Sequence, residues 1–442
     1  LLMFATDCHE ATIWGVYRVD HWSHFYKGIA LVATIIVLII SLDYKSVLKQ
    51  YTSEDETHAG IGEFYALPLF ACAGLMWMAS AVDLITIFVA LELVTMSSYV
   101  LVTYMRRNVG SLEAGVKYLI LGALSTGFLV YGITWTFGIT GETNLAKIGE
   151  VLAAGEVPPT AAVFAFALLI VGLGFKVAAA PFQIWVPDVY QGAATPITAF
   201  LSVGSKAAGF IVLIRVVTPF IDSPVGTPVI ALLTLLAAAS LIYGNLAAIP
   251  QTNLKRLLAY SSISHAGFLL MAVTALGSDT VIKGPDAQST IAFYLACYLA
   301  MTMLAFAVIA IVRARLGGED LKSVEGLGKR SPLLAVALVV AFASLAGLPL
   351  TAGFMGKLFI FNIAVQQGQY WLIAAAIVGV AAGFYYYFKA ILSMFRNSGQ
   401  DGDADAAVGE RIHIGLLTKL TIIVLIGAVI LFGFYPQPLL PS

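Results

Sequence analysis

Seven ionisable side chains stand inside long apolar runs of this chain: Glu92, Lys117, Lys176, Lys206, His265, Lys357 and Lys389. A charge at the centre of a bilayer costs about 2.5–3.5 kcal/mol on insertion scales, so each needs a reason to be there. Glu92 lies mid-run in ITIFVALELVTMSSYVL, Lys176 in LIVGLGFKVAAAPFQIW, Lys206 in ITAFLSVGSKAAGFIVLI, His265 in LLAYSSISHAGFLLMAV and Lys357 in AGFMGKLFIF. Lys117 and Lys389 are nearer the ends of their runs. The deep cations are lysines, whereas the arginines fall near run ends or between runs. Arginine does not release its proton in a protein, but a buried lysine can. A row of lysines with one glutamate therefore fits groups that alternate between charged and neutral forms. The competing reading is structural. Buried charges can glue helices, Lys117 and Lys389 can extend toward water, and His265 can complete a hydrogen-bond set with Ser261, Ser262 and Ser264.

These side chains need membrane-crossing elements to hold them. Of the 442 residues 60% are hydrophobic and 11% charged, against about 25% charged in soluble domains. Thirteen apolar runs are long enough to be spans, near 27–43, 63–80, 83–103, 112–138, 161–183, 195–220, 228–250, 253–276, 289–315, 332–348, 350–367, 370–396 and 413–435. None alternates with period two, which excludes a β-barrel. The chain reads as one all-α polytopic membrane domain, residues 1–442, with no soluble domain. The first 26 residues, with Asp7, His9, Glu10, Arg18 and Asp20, are too polar to span and lack a signal-peptide pattern. The insertion 397–412, with Asp401, Asp403, Asp405 and Glu410, reads as a solvated loop.

Lys45, Lys49, Arg106, Arg107, Lys255, Arg256, Arg313, Arg315, Lys322, Lys329 and Arg330 fall on one side by alternation of the spans; the other side carries Glu142, Glu150, Glu156, Asp279 and Asp286. The positive-inside rule puts the basic side in the cytoplasm. A net charge of −1 gives no sign of nucleic-acid binding. Cys8, Cys72 and Cys297 have no metal-ligand or Fe–S spacing and read as small apolar fillers. No metal or cofactor site is expected, and no GxGxxG after a strand offers a nucleotide site.

Two runs are interrupted by helix breakers. Pro181 and Pro187 follow Lys176, and Pro349 and Gly353 precede Lys357. Proline removes a helix hydrogen bond, and broken helices occur in membranes where they are buried in protein or line a cavity. A lysine at a break in each half of the chain points to paired inverted repeats with a site in each.

At these residues the chain resembles the antiporter-like proton-translocating subunits of respiratory complex I. The likeness is carried by DLITIFVALELVTMSSYVLVTYMRR, SLEAGVKYLILGALSTGFLVYG, GLGFKVAAAPFQIWVPDVYQGAATPITAFLSVGSKAAGF, GNLAAIPQTNLKRLLAYSSISHAGFLL and GLPLTAGFMGKL, and covers nearly all of the chain from about residue 15. The resemblance implies fourteen transmembrane helices with two inverted five-helix repeats, each containing a discontinuous helix. The repeats are expected near 83–250 and 253–396, with peripheral spans at 27–80 and 413–435; the helix missing from the count would precede the first run. Glu92 is similar to the family's essential glutamate. Lys176 resembles the lysine on the first discontinuous helix that pairs with it, Lys206 the central connecting lysine, and Lys357 the lysine on the second discontinuous helix. Lys117 and Lys357 resemble the subunit N branch, since the M branch usually has glutamate at the second break. His265 matches a position on the polar axis between the halves.

The resemblance further implies a bacterial inner-membrane location and the M, L, K and J types of membrane-arm subunit as partners. NADH, FMN, Fe–S clusters and quinone would be held by other subunits. Protons would move from the Glu92–Lys176 pair through Lys206 and His265 to Lys357. Two alternatives share the fold: a subunit of a multi-subunit sodium/proton antiporter, and a membrane arm of a related hydrogenase or ferredoxin-dependent complex.

Overall fold

The structure, a computed structural model, describes residues 10–52, 61–277, 284–396 and 412–440. Cys8, Asp7, His9, Asp279 and the acidic part of the 397–412 insertion lie outside the described residues.

A two-stranded antiparallel hairpin comes first, β1 (Ala11–Ile13) and β2 (Tyr17–Val19). Helix α1 then runs His21–Asp43, starting six residues earlier than the apolar run at 27. The reason is a cap. Ser23 N donates to Asp20 Oδ1 at 2.7 Å and Asp20 N donates to Ser23 Oγ at 3.0 Å, so each fills a hydrogen-bonding need at the helix end. The amphipathic α2 (Lys45–Thr52) follows. The remaining helices are α3 (Gly62–Ser80), α4 (Leu84–Val102), α5 (Val109–Thr140), α6 (Leu145–Ala153), α7 (Pro159–Val177), α8 (Val186–Gly192), α9 (Thr195–Ile221), α10 (Gly226–Ala248), α11 (Leu254–Val273), α12 (Ala287–Leu316), α13 (Pro332–Ala346), α14 (Ala352–Gln366), α15 (Tyr370–Met394) and α16 (Leu416–Phe434). Each of the thirteen predicted runs is therefore a helix, eleven of them long and apolar enough to cross a membrane and α13 and α14 shorter. Within α9, Leu201–Ser205 form a π-helical turn, wider than the flanking α-helix.

Hydrogen bonds between loops define two faces. On the basic face Arg107 N donates to Tyr51 O, Tyr104 donates to Glu63, and Asn253 bonds Asp320. On the far face Val82 N donates to Val16 O, Asn144 Nδ2 donates to Gly15 O, and Gln369 Nε2 donates to Thr274 Oγ1. Because α12 ends on the basic face and Gln369 lies on the far one, α13 and α14 together make one broken crossing. Each has 15 residues, about 22 Å of helix, short of the ~30 Å hydrocarbon core. The run predicted over 161–183 is broken too: α7 ends at Val177, Ala178 takes φ +64°, and the chain resumes as α8.

Helices α9, α11 and α12 are almost wholly enclosed, whereas α5, α15 and α16 present apolar side chains such as Ile120, Val378 and Val424 outward. Two helix pairs approach closely at glycines. A Cβ on Gly74 of α3 would lie 2.7 Å from Val94 Cγ2 on α4, and one on Gly244 of α10 would lie 2.5 Å from Ser264 N on α11. Small residues let membrane helices pack at this range. The second member of each pair begins at an isolated antiparallel bridge, Asp83–Asn144 for α4 and Asn253–Asp320 for α11. A long helix, a broken helix and a closing helix follow in both cases, starting from opposite faces.

Candidate functional site

The deep ionisable groups converge on the enclosed helices. Lys176, in the last turn of α7, is 5% exposed, and its Nζ donates to Thr95 Oγ1 of α4 at 3.3 Å. Glu92 stands one turn before Thr95 and is half-buried, its Oε1 accepting from Thr126 Oγ1 at 2.8 Å. Among the described residues no ion pair within 4 Å joins Glu92 to Lys176. The amine of Lys176 is held by Thr95, and Glu92 stands one turn away from that acceptor on α4.

Lys206 follows the wide turn of α9 and is 2% exposed. Its Nζ donates to both Ser262 O and Ser262 Oγ at 2.5 Å, with the Tyr298 ring centroid 5.4 Å away. Ser262 Oγ is also within 3.3 Å of the Tyr190 hydroxyl. The Lys176 stem crosses α9 at Gly209, where a Cβ would lie 3.4 Å from Lys176 Cγ and 3.0 Å from Val177 Cγ1. Gly209→Ala is accordingly expected to displace Lys176 by a few tenths of an ångström, at a stability cost of about 1 kcal/mol. The thermal stability of the purified protein checks it.

His265 does not bond the serines beside it. Its Nδ1 is 2.6 Å from Tyr294 OH and its Nε2 3.5 Å from Tyr387 OH. Ser261 bonds Tyr387, Ser262 serves Lys206, and Ser264 Oγ accepts from Asn245 Nδ2 at 2.6 Å. The helical spacing explains this correction: successive residues of α11 face different helices. The histidine is thus a bridge between α12 and α15.

Lys357 lies in α14, but its Nζ reaches back to Leu345 O at 2.8 Å and Ala346 O at 2.9 Å. These carbonyls close α13, where no further helical N–H follows and the helix dipole is negative. Gly347, at φ +92°, ends that helix beside the amine. A second break therefore creates an acceptor pair for a second lysine.

Lys176, Lys206, His265 and Lys357 are all buried, each with its own neutral hydrogen-bond partners. For Lys206 and Lys357 the charged amine is solvated by hydroxyls and carbonyls alone, so losing its proton leaves no carboxylate stranded beside it. Lys117 and Lys389 stand apart. Lys117, 43% exposed, bonds Glu113 Oε1 at 2.7 Å and Asp188 Oδ2 at 2.8 Å. Lys389 lies by Asp320 and Glu325 at the basic face. Sequence reasoning missed Tyr190, Tyr294, Tyr298 and Tyr387, which nothing marks among nineteen tyrosines. It also missed Asp188, clamped between Lys117 of α5 and Arg256 Nη1 of α11 at 2.7 Å. Lys255, counted with the loop cations, is 2% exposed.

An all-helical bundle with two broken crossings and a buried amine at each is the architecture of an antiporter-like membrane subunit. Residues 81–383 match the model of the family described as NADH:quinone oxidoreductase/Mrp antiporter, transmembrane, and the chain belongs to this family. Subunit N 2 of NADH-quinone oxidoreductase from Solibacter usitatus is 42% identical over 430 residues, 96% of this chain and 82% of that one. The subunit N 2 of Chloroherpeton thalassium is 39% identical over 433 residues, 96% and 81% of the two chains. Among solved structures, a chain of respiratory complex I from Thermus thermophilus matches with TM-score 0.80 and 32% identity, covering 100% of this chain and 90% of that one. A chain of an archaeal membrane-bound sulfane sulfur reductase matches with TM-score 0.82 and 28% identity, covering 96% and 80%.

Proposed function

We propose that this chain translocates protons as the N-type antiporter-like subunit of a complex I, with Glu92, Lys176, Lys206, His265 and Lys357 as its protonation axis. The observation that carries the reading is the row of buried lysines on neutral acceptors, one at each helix break. A proton on Lys176 is favoured by the Glu92 carboxylate one turn from its acceptor. When that influence weakens, desolvation favours the neutral amine and the proton moves toward Lys206. It then continues by Ser262, Tyr298 and His265 to Lys357. A coupling of about 1–3 kcal/mol shifts a pKa by about 1–2 units, enough to order such steps.

The electron transfer from NADH to quinone belongs to other subunits, and the bias arrives from neighbours of the M, L, K and J types. The basic face is assigned to the cytoplasm of a bacterial inner membrane. We place the inverted repeats at 62–221 and 226–394 against the sequence-based frame of 83–250 and 253–396, the first shifted by one helix and the second gaining one at its start, because the glycine-packed helix pairs open each unit. Lys117 acts outside the axis, at its basic-face approach.

Glu92→Ala tests the reading. In the fully assembled complex in vesicles, protons moved per NADH oxidised are expected to fall by the share that this subunit carries. Normal proton uptake with full assembly would refute it.

A further inference from the structure

A polar cavity of about 400 Å³ opens on the basic face among α5, α8, α11 and the segment after α12. Its rim carries partly exposed charges: Glu113, Lys117, Asp188 and Arg256. Its floor is different. Lys255 is 2% and Glu319 12% exposed, with Lys255 Nζ 3.0 Å from Glu319 Oε2. The other Glu319 oxygen accepts from Thr195 Oγ1 at 2.7 Å, and Lys255 Nζ also donates to Ala193 O at 2.8 Å. Both bonds fall where the chain enters α9, the helix of Lys206. Tyr44, just after α1, is buried near Glu319; burial, then the Glu319 charge, push its phenol up to about 12, against its hydrogen bond with Thr195, so it remains a neutral wall of the cavity.

The floor is aligned with the axis. Lys255 and Ser262 are seven residues apart on α11, two turns along one face and about 10 Å of rise. Ser262 holds the Lys206 amine, and the Tyr190 hydroxyl of α8 stands beside it. We propose that Glu319 is the proton-loading carboxylate for Lys206 and that Lys255 is its positioning residue. This rests on the proton-translocating reading above. Water in the cavity gives a proton to Glu319, which weakens its hold on Lys255. The Lys255 amine keeps the Ala193 carbonyl, and the proton passes toward Lys206 along the Tyr190–Ser262 hydroxyls and intervening water. In a pair that merely fastens the loop to α11, shape and charge would matter but proton exchange would not.

Two variants of the assembled complex separate these cases. Glu319→Gln keeps the shape and cannot carry the proton; Glu319→Asp keeps the titrating group and loses a methylene. Proton uptake per NADH is expected to lose this subunit's share in Glu319→Gln and to fall less in Glu319→Asp. Gln equal to or better than Asp overturns the proposal. Should neither assemble, Gln191→Cys on the cavity wall leaves the pair intact. Complete labelling with a bulky membrane-impermeant maleimide is expected to slow proton uptake several-fold relative to the unlabelled variant, and unchanged uptake overturns the inlet. If Glu92→Ala lowers uptake while these changes do not, only the inlet falls. If Glu92→Ala has no effect, the axis itself is wrong.

Discussion

Lys206→Met leaves the complex assembled and removes this subunit's share of its proton uptake per NADH. Methionine is unbranched and adaptable, so it fills most of the lysine stem's place. Ser262 Oγ loses one partner and keeps Tyr190. The cost to folding is therefore about that of the two hydrogen bonds to Ser262 O and Oγ, ~2 kcal/mol. Proton movement has no comparable substitute, because Lys206 is the only axis group bonded to Ser262 between Lys176 and His265 among the described residues. Lys206→Arg sharpens the experiment. It keeps the charge, yet guanidinium holds its proton throughout the working pH range, so uptake is expected to be no better than with methionine. Copurification of the other subunits reports assembly. Restoration by arginine would show that Lys206 is helix glue.

Gly353→Ala is expected to damage both assembly and pumping. A Cβ at this position would stand 1.9 Å from Ser344 O and 2.8 Å from Ser344 C, both backbone atoms of α13. Gly353 N also donates to Ser344 Oγ at 3.0 Å, pinning the start of α14 to the last turn of α13. No rotamer relieves a clash with main chain, so the two half-helices must separate. Overpacking costs about 1–3 kcal/mol, and backbone clashes lie at the upper end. Lys357 is one turn further along α14 and loses its hold on Leu345 O and Ala346 O. A drop in thermal stability with lost uptake is the expected pair of results. Gly427→Ala on α16, where a Cβ meets nothing within 4 Å, supplies the control and should change neither.

The fold was largely legible because its signals are long. Apolar runs of span length mark each crossing, and proline marks both breaks, joined by Gly353 at the second. What escaped reading was short or non-local. The cap that starts α1 at His21 is an Asp20–Ser23 exchange inside a stretch that reads as polar. The five-residue wide turn of α9 has no compositional marker in LSVGS.

In the site, Glu92, Lys176, Lys206 and Lys357 stood out because a charge in an apolar run is anomalous by itself. Their partners did not, since a tyrosine or serine in a helix is ordinary until another helix faces it. Glu319 sits between apolar runs, where a carboxylate is ordinary. Only the fold brings it under Thr195, 124 residues away in sequence.

The wide turn at Leu201–Ser205 has a mechanical consequence. A π turn holds one residue more than regular α-helix needs over the same hydrogen-bonded path. Each residue of α-helix corresponds to about 100° about the axis. Tightening that turn by one residue would screw Lys206 through roughly this angle relative to 195–200, while the outer part of the crossing stayed anchored through Thr195 and Glu319. The span thus contains slack at the point where its amine meets Ser262, and a small change of winding can engage or release the contact without moving the helix through the membrane.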